Sequence, residues 1–348
     1  MSSSDLTAEP KGDWIDRLYD AAPLPPYGVG VAIALGLVAL VVGIAAVTGE
    51  LGEFLAREGG LLVDRNVRLG ITLTLLAGYV PTAQRYQRLA SRRHLEEIRR
   101  ATGGARQAGD AAAAHAGGGR WAGALGLLLA PLTGLIVDRD PSLYLQPWYW
   151  GAGTFWTWSA GLLFCWSLGR FAHATLGSAR TFSAVADELA HVDLLGRDWL
   201  TPFAREGLFS ALLWLVIPTV FTINLTDEPL LYVVAPLTLI CVTMGTIALL
   251  LPSRGARRRL RSAKREEIVR VHRAIRGDAD ALQDSVIGGR RTEPSIADLL
   301  AYERFLQSIS SWSFDQATWL RFGLVLALPL GSWLGGAIVE RLLSSLLD

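Results

Sequence analysis

The chain is predicted to be all-α: a polytopic membrane protein with about seven transmembrane helices and a membrane-proximal cytosolic helical layer. Three observations predict it. Hydrophobic residues make up 51% of the 348 and charged ones only 19%, with a mean hydropathy of +0.32, a balance foreign to disordered or ordinary soluble chains. Stretches free of Asp, Glu, Lys, Arg and His occur at 27–49, 69–84, 121–137, 141–169, 207–226, 229–253 and 322–339; a hydrocarbon core of about 30 Å calls for about 20 such residues at 1.5 Å each. Basic residues also gather in long connections: residues 85–120 hold eight arginines against three acids, and residues 254–315 hold thirteen basic residues against nine acids. Such loops stay on the cytosolic side.

Residues 1–26 are read as a cytosolic or interfacial N-terminal segment. Its start, MSSSDLTAEPKGDWIDRLYD, lacks a basic region followed by a short apolar core, so no removable signal peptide is expected. Trp14, Ile15, Leu18 and Tyr19 share one face of a short helix suited to the membrane interface. Residues 27–252 form a six-helix membrane region with cytosolic helical extensions at 85–120 and 170–205. The run at 69–84 is the shortest and relies on Arg68 and Arg85 snorkelling to water. Trp148 and Trp150 suit an interfacial aromatic belt. Thr201 is expected as an N-cap, with Pro202 at the first helical position.

Residues 253–316 are read as a cytosolic helical segment. Ile268, Val271 and Ile275 recur at helical spacing, and after Gly277, Gly288 and Gly289 a fresh helix is expected with Ser295 as N-cap and Asp298 at its third position. Leu299, Tyr302, Leu306 and Ile309 make a packed face for a partner helix in the same chain or in a neighbouring subunit. Residues 317–348 hold the seventh membrane helix and the C-terminus. The acidic or balanced connections are expected to face outward and the N-terminus to lie in the cytosol; the Arg-dominated, Ala/Gly-rich composition suits a GC-rich bacterium, hence a bacterial inner membrane.

Signs of chemistry are sparse. HExxH, GxSxG and CxxC are absent, and no carboxylate falls inside an apolar run, so no enzyme, cofactor or metal centre is expected. Glu188 and His191 at a three-residue spacing, with Asp187 and Asp193 nearby, suit a metal only weakly and read better as a solvated helix face. Cys165 and Cys241 read as packing residues. The lack of an ionisable side chain within a run speaks against an ion-coupled carrier. Hydroxyls at Thr72, Thr74, Thr154, Thr157, Thr219, Thr222, Thr238, Thr243 and Thr246 are expected to bond back to their own helices. Asn224-Leu-Thr matches a glycosylation sequon.

The run LPLGSWLGGAIVE brings Pro329, Gly331, Ser332, Gly335 and Gly336 together. Small residues four apart admit a close backbone, and Pro329 frees a carbonyl, so these are candidate pore-lining or helix-packing positions. Asp227 and Glu228 are candidate outer-mouth acids. The basic stretch beginning at Arg254 and ending at Arg265 is a candidate contact for anionic lipid rather than nucleic acid. In layout alone, with no shared motif, the chain looks like the seven-span chemoreceptor channels of insects, which have an inner N-terminus, long inner helices and a final span that lines the pore. With no charged residue inside the runs, the leading expectation is a homo-oligomeric ion channel whose last span lies nearest the pore. The alternatives are a solute carrier without an intramembrane charge and a non-conducting sensor or scaffold acting through its cytosolic helices.

Overall fold

The computed structural model describes residues 14–52, 65–101, 119–131, 151–189, 194, 198–224, 228–282, 285, 295–309, 320 and 323. Helix α1 is Trp14–Ala21, α2 Pro26–Thr48, α3 Arg65–Ala101, α4 Gly119–Leu127 and α5 Ala152–Asp187. Thr201–Phe221 is α6, Glu228–Leu250 is α7, Pro252–Ile275 is α8 and Ile296–Ser308 is α9. Short 3₁₀ turns sit at Asp198–Leu200, Thr222–Asn224 and Ala279–Leu282. The all-α class holds, and no strand occurs among the described residues.

Three of these helices are long and apolar enough to cross a membrane: α2, α6 and the continuous helical stretch Val234–Ile275 that joins α7 to α8. Seven do not meet that measure, for reasons of composition. The run at 69–84 is embedded in a 37-residue helix whose remainder is rich in arginine. The run at 141–169 is helical from Ala152, and its tryptophans, threonines and glycines dilute its apolar character. Trp121–Pro131 is apolar but short, and the last run lies outside the described residues apart from Gly323.

Two apolar cores stack along the long helices. The upper one gathers Val41 from α2, Leu76 and Val80 from α3, Trp156, Phe164 and Phe171 from α5, Trp214 and Phe221 from α6 and Cys241 from α7. Cys165 and Cys241 are both buried free thiols, as their apolar settings suggest. The lower core gathers Ile98 from α3, Phe182 and Val185 from α5, Phe203 from α6, Leu260 and Val271 from α8 and Leu299, Tyr302 and Leu306 from α9. The packed face of α9 is thus covered by its own chain. Helices α3, α5 and α6 each contribute to both cores, with α3 lying along α5.

Glycine sets the closest approaches. A Cβ on Gly78 would stand 2.5 Å from the Gly30 carbonyl oxygen, so α2 and α3 cross backbone to backbone. Helices α4 and α5 cross in the same way, where a Cβ on Gly126 would stand 2.2 Å from the Cys165 carbonyl oxygen. This small-residue packing suits helices that gain nothing from burying leucine against lipid. On its far side α2 presents Val31, Leu35, Val38 and Val42 to the surroundings, steps of four, three and four that form one uncovered apolar stripe.

Local signals hold in part. Ser295 caps α9 in a full capping box: its hydroxyl accepts from the Asp298 N–H, and Asp298 Oδ2 accepts from the Ser295 N–H, both at 3.2 Å. Thr201, expected as a cap, is instead the first residue of α6; a 3₁₀ turn ending at Leu200 leads into it with helical dihedrals and no side-chain cap. Helix α1 docks through Tyr19, whose hydroxyl lies 2.9 Å from Thr82 Oγ1, and through an Asp20–Arg85 ion pair, while Leu18 stays exposed. Burial pushes the Tyr19 phenol above its ordinary range.

Candidate functional site

A polar layer separates the two cores. On α3, Gln87, Ser91 and His94 stand four and three residues apart, below Ala83 of the upper core and above Ile98 of the lower. On α5, Thr175 and Ser178 lie between Phe171 and Phe182; on α6, Glu206 and Ser210 lie between Phe203 and Trp214. Helical spacing gives each set one face, and packing turns the faces towards one another.

Glu206 is 1% exposed and is the focus of the layer. Its Oε1 accepts hydrogen bonds from Ser91 Oγ at 2.6 Å, Ser178 Oγ at 2.9 Å and Ser210 Oγ at 3.4 Å. Its Oε2 lies 2.9 Å from Nδ1 of His94, whose side chain keeps 15% of its surface exposed. Among the described residues His94 is the ionisable side chain in contact with this carboxylate.

A directional chain leads in from the upper core. Trp214 Nε1 donates to Thr175 Oγ1 at 3.1 Å, Thr175 donates to Gln87 Oε1 at 3.1 Å, and Gln87 Nε2 donates to Ser210 Oγ at 3.0 Å. An indole can only donate, and each later bond runs on in the same sense. Ser210 Oγ in turn donates to Glu206 Oε1. Four successive dipoles point their positive ends at the carboxylate. Phe171 stacks on Trp214 at 4.7 Å between ring centroids and seals the upper end.

A second buried carboxylate ties the lower core. Glu267 of α8, 2% exposed, accepts from Arg270 Nη1 at 3.1 Å, from Ser285 Oγ at 2.5 Å and from the Tyr302 hydroxyl at 3.3 Å. Beside it His272 Nε2 lies 3.0 Å from Glu303 Oε1. Both contacts hold α9 to α8.

The arginines of α8 form a separate surface. Arg254, Arg257, Arg258, Arg261 and Arg265 line one shallow cleft together with Ser262. Arg258 lies 3.5 Å from Asp187, and Arg259, off this face, donates to the Leu189 carbonyl at 2.9 Å.

Most of the sequence-predicted site residues fall on stretches that are not described. Pro329, Gly331, Ser332, Gly335 and Gly336 lie outside the described residues, as do Asp227, His191 and Asp193, while Glu228 opens α7. Glu188 is exposed at the C-terminal end of α5. Thr157, Thr219, Thr222 and Thr246 bond back to their own helices, as expected. Thr72 and Thr74 do not: they accept from Asn224 Nδ2 and Trp156 Nε1, both at 2.8 Å. Asn224 is fully buried, which removes it as a glycan acceptor.

Glu206 escaped the sequence reading because it stands one residue before the uncharged run at 207–226. Helix α6 begins five residues earlier, at Thr201, so the carboxylate belongs to a helix long and apolar enough to span. This corrects the premise used against a carrier. The available signal was the three polar stripes at helical spacing, Gln87-Ser91-His94, Thr175-Ser178 and Glu206-Ser210. Comparison with known proteins finds no matching family model, curated protein or solved structure.

Proposed function

We propose that this chain is a bacterial inner-membrane protein crossing the bilayer about seven times with a cytosolic N-terminus, and that it acts as a homo-oligomeric ion channel whose last span, at 322–339, lies nearest the pore. The observation that supports this reading is the continuity of α3 and α5. At 37 and 36 residues they are about 55 Å long at 1.5 Å each, against a hydrocarbon core of about 30 Å, so each carries residues of both cores on one continuous helix. A displacement of the lower layer tilts both cores together. The uncovered apolar stripe of α2 fits lipid or a second copy of the chain.

Anionic lipid is the proposed partner of the α8 arginines. Leu251 keeps helical dihedrals, φ −66° and ψ −42°, so the helical register runs through the α7–α8 junction. Thr243, Leu250, Arg254, Arg257, Arg261 and Arg265 follow at steps of seven, four, three, four and four. They share one face. The lipid-side stripe of α7 thus leads straight into guanidinium groups at headgroup level, where each contributes about 1 kcal/mol of attraction to an anionic surface.

A solute carrier is the second reading, favoured by Glu206: a buried carboxylate in a spanning helix is the usual coupling group of such proteins. Reconstitution in planar bilayers separates the two. Unitary currents from an intact oligomer are expected. Silence from that oligomer, together with saturable, gradient-dependent uptake into proteoliposomes, would replace the channel by the carrier.

A further inference from the structure

We infer that Glu206, with Ser91, Ser178 and Ser210, forms a binding site for one monovalent metal cation where α3, α5 and α6 meet between the two cores. Four oxygens from three helices converge here: the three hydroxyl oxygens stand 2.6, 2.9 and 3.4 Å from Glu206 Oε1, and Ser91 and Ser178 are 3.0 Å apart. Hydroxyl oxygens carry lone pairs as well as protons. A cation entering the cluster requires that these protons turn away and that the oxygens, now at hydrogen-bond spacing, part to admit it. A helical serine has a ready alternative acceptor in the carbonyl four residues back, as Thr82 and Thr181 already use in these same helices at 2.8 and 3.0 Å.

Charge argues for a cation in preference to a proton. The donor chain from Trp214 through Thr175, Gln87 and Ser210 points every dipole at the carboxylate, an arrangement that supports the negative form. A buried negative charge needs a positive partner. The chain also ends on an indole N–H, which accepts nothing, so it cannot pass a proton onward and forms a terminal pocket rather than a proton path. One carboxylate balances one positive charge. Among the described residues no group of three His, Cys, Asp or Glu side chains assembles to hold a transition metal, and an all-oxygen set of low charge suits a hard monovalent ion. His94, partly exposed beside Oε2, lies on the approach from the surrounding solvent.

The groups facing Glu206 are His94 and Ser91 from α3, Ser178 from α5 and Ser210 from α6. Among the described residues His94 is the competitor for the compensating charge, and the experiment is built around it. Full-length protein in detergent is melted in sodium, potassium, lithium and choline chloride at equal ionic strength. Expected is a saturable rise in Tm of several degrees in one metal chloride over choline, absent in Glu206→Gln and kept in His94→Gln. Ser178→Ala, which keeps the carboxylate, is expected to shift the half-saturating concentration upward by about tenfold, the loss of one ligand, and it carries the test if Glu206→Gln does not fold. Equal melting in all four salts would overturn the site. So would a response to pH alone that disappears in His94→Gln, because the imidazolium would then be the counter-charge. Melting reads the site whether or not the protein conducts, so its outcome is independent of the current measurements.

Discussion

Gly169→Ala tests whether α4 is held to α5 by backbone contact. A Cβ at this position would stand 2.2 Å from the Ala122 carbonyl oxygen and 3.0 Å from both Cα and N of Gly126. All three neighbours are main chain, so no side chain can swing away. Ordinary non-bonded contact begins near 3.5 Å, and the helices must therefore separate by about 1 Å, a gap that forfeits a quarter to a half of each contact's attraction along the crossing. Overpacking of this kind costs about 2–3 kcal/mol. Gly161→Ala, on the same helix, is the matched control: its Cβ would meet only Leu73 Cδ1, at an ordinary 3.6 Å, and its effect should stay within about 0.5 kcal/mol. Both variants are melted in one detergent, with Gly169→Ala expected about 5 °C below the control. If the two melt together, the close crossing of α4 and α5 is wrong and the argument from it fails.

Ser295→Ala removes the hydroxyl half of the α9 capping box and should cost about 1 kcal/mol; hydrogen exchange in the first turn of α9 should accelerate, and unchanged protection would show that the cap contributes nothing. Tyr79→Phe deletes the hydroxyl that donates to the Leu213 carbonyl at 2.9 Å, one turn before Pro218 of α6. A loss of about 1 kcal/mol is expected, and a neutral result would mean that water or the helix itself satisfies that carbonyl. Expression in a eukaryotic secretory system should leave the Asn224-Leu-Thr sequon unmodified, since the Asn224 amide is buried and bonded to Thr72. A mass shift removed by a glycosidase and by Asn224→Gln would refute that burial.

Much of the helical plan was legible because its signals are local. The capping box at Ser295 and Asp298 depends on residues three apart, and the packed face Leu299, Tyr302, Leu306 and Ile309 follows from helical periodicity. What covers that face was open, and the covering core combines it with Phe182, Phe203 and Leu260 from distant parts of the chain. Thr201 shows how a local rule gives way: an N-cap threonine is a sound expectation, but the 3₁₀ turn before it already has helical dihedrals and carries the helix start past it.

Composition and spacing by themselves pointed to the helical class that the described residues show, to apolar segments of which three prove long and apolar enough to cross a membrane, and to basic residues clustered between the apolar runs, because each of these is a property of consecutive residues. The tertiary structure alone decided that Glu206 is buried, that Ser91 and Ser178 lie 115 and 28 residues from it in sequence yet bond to the same oxygen, and that a donor chain from Trp214 ends on it. A charge beside an apolar run looks like the edge of a membrane span until other helices are placed around it. The cost of burying a carboxylate is set by the donors that surround it, and those donors come from three helices that only packing brings together.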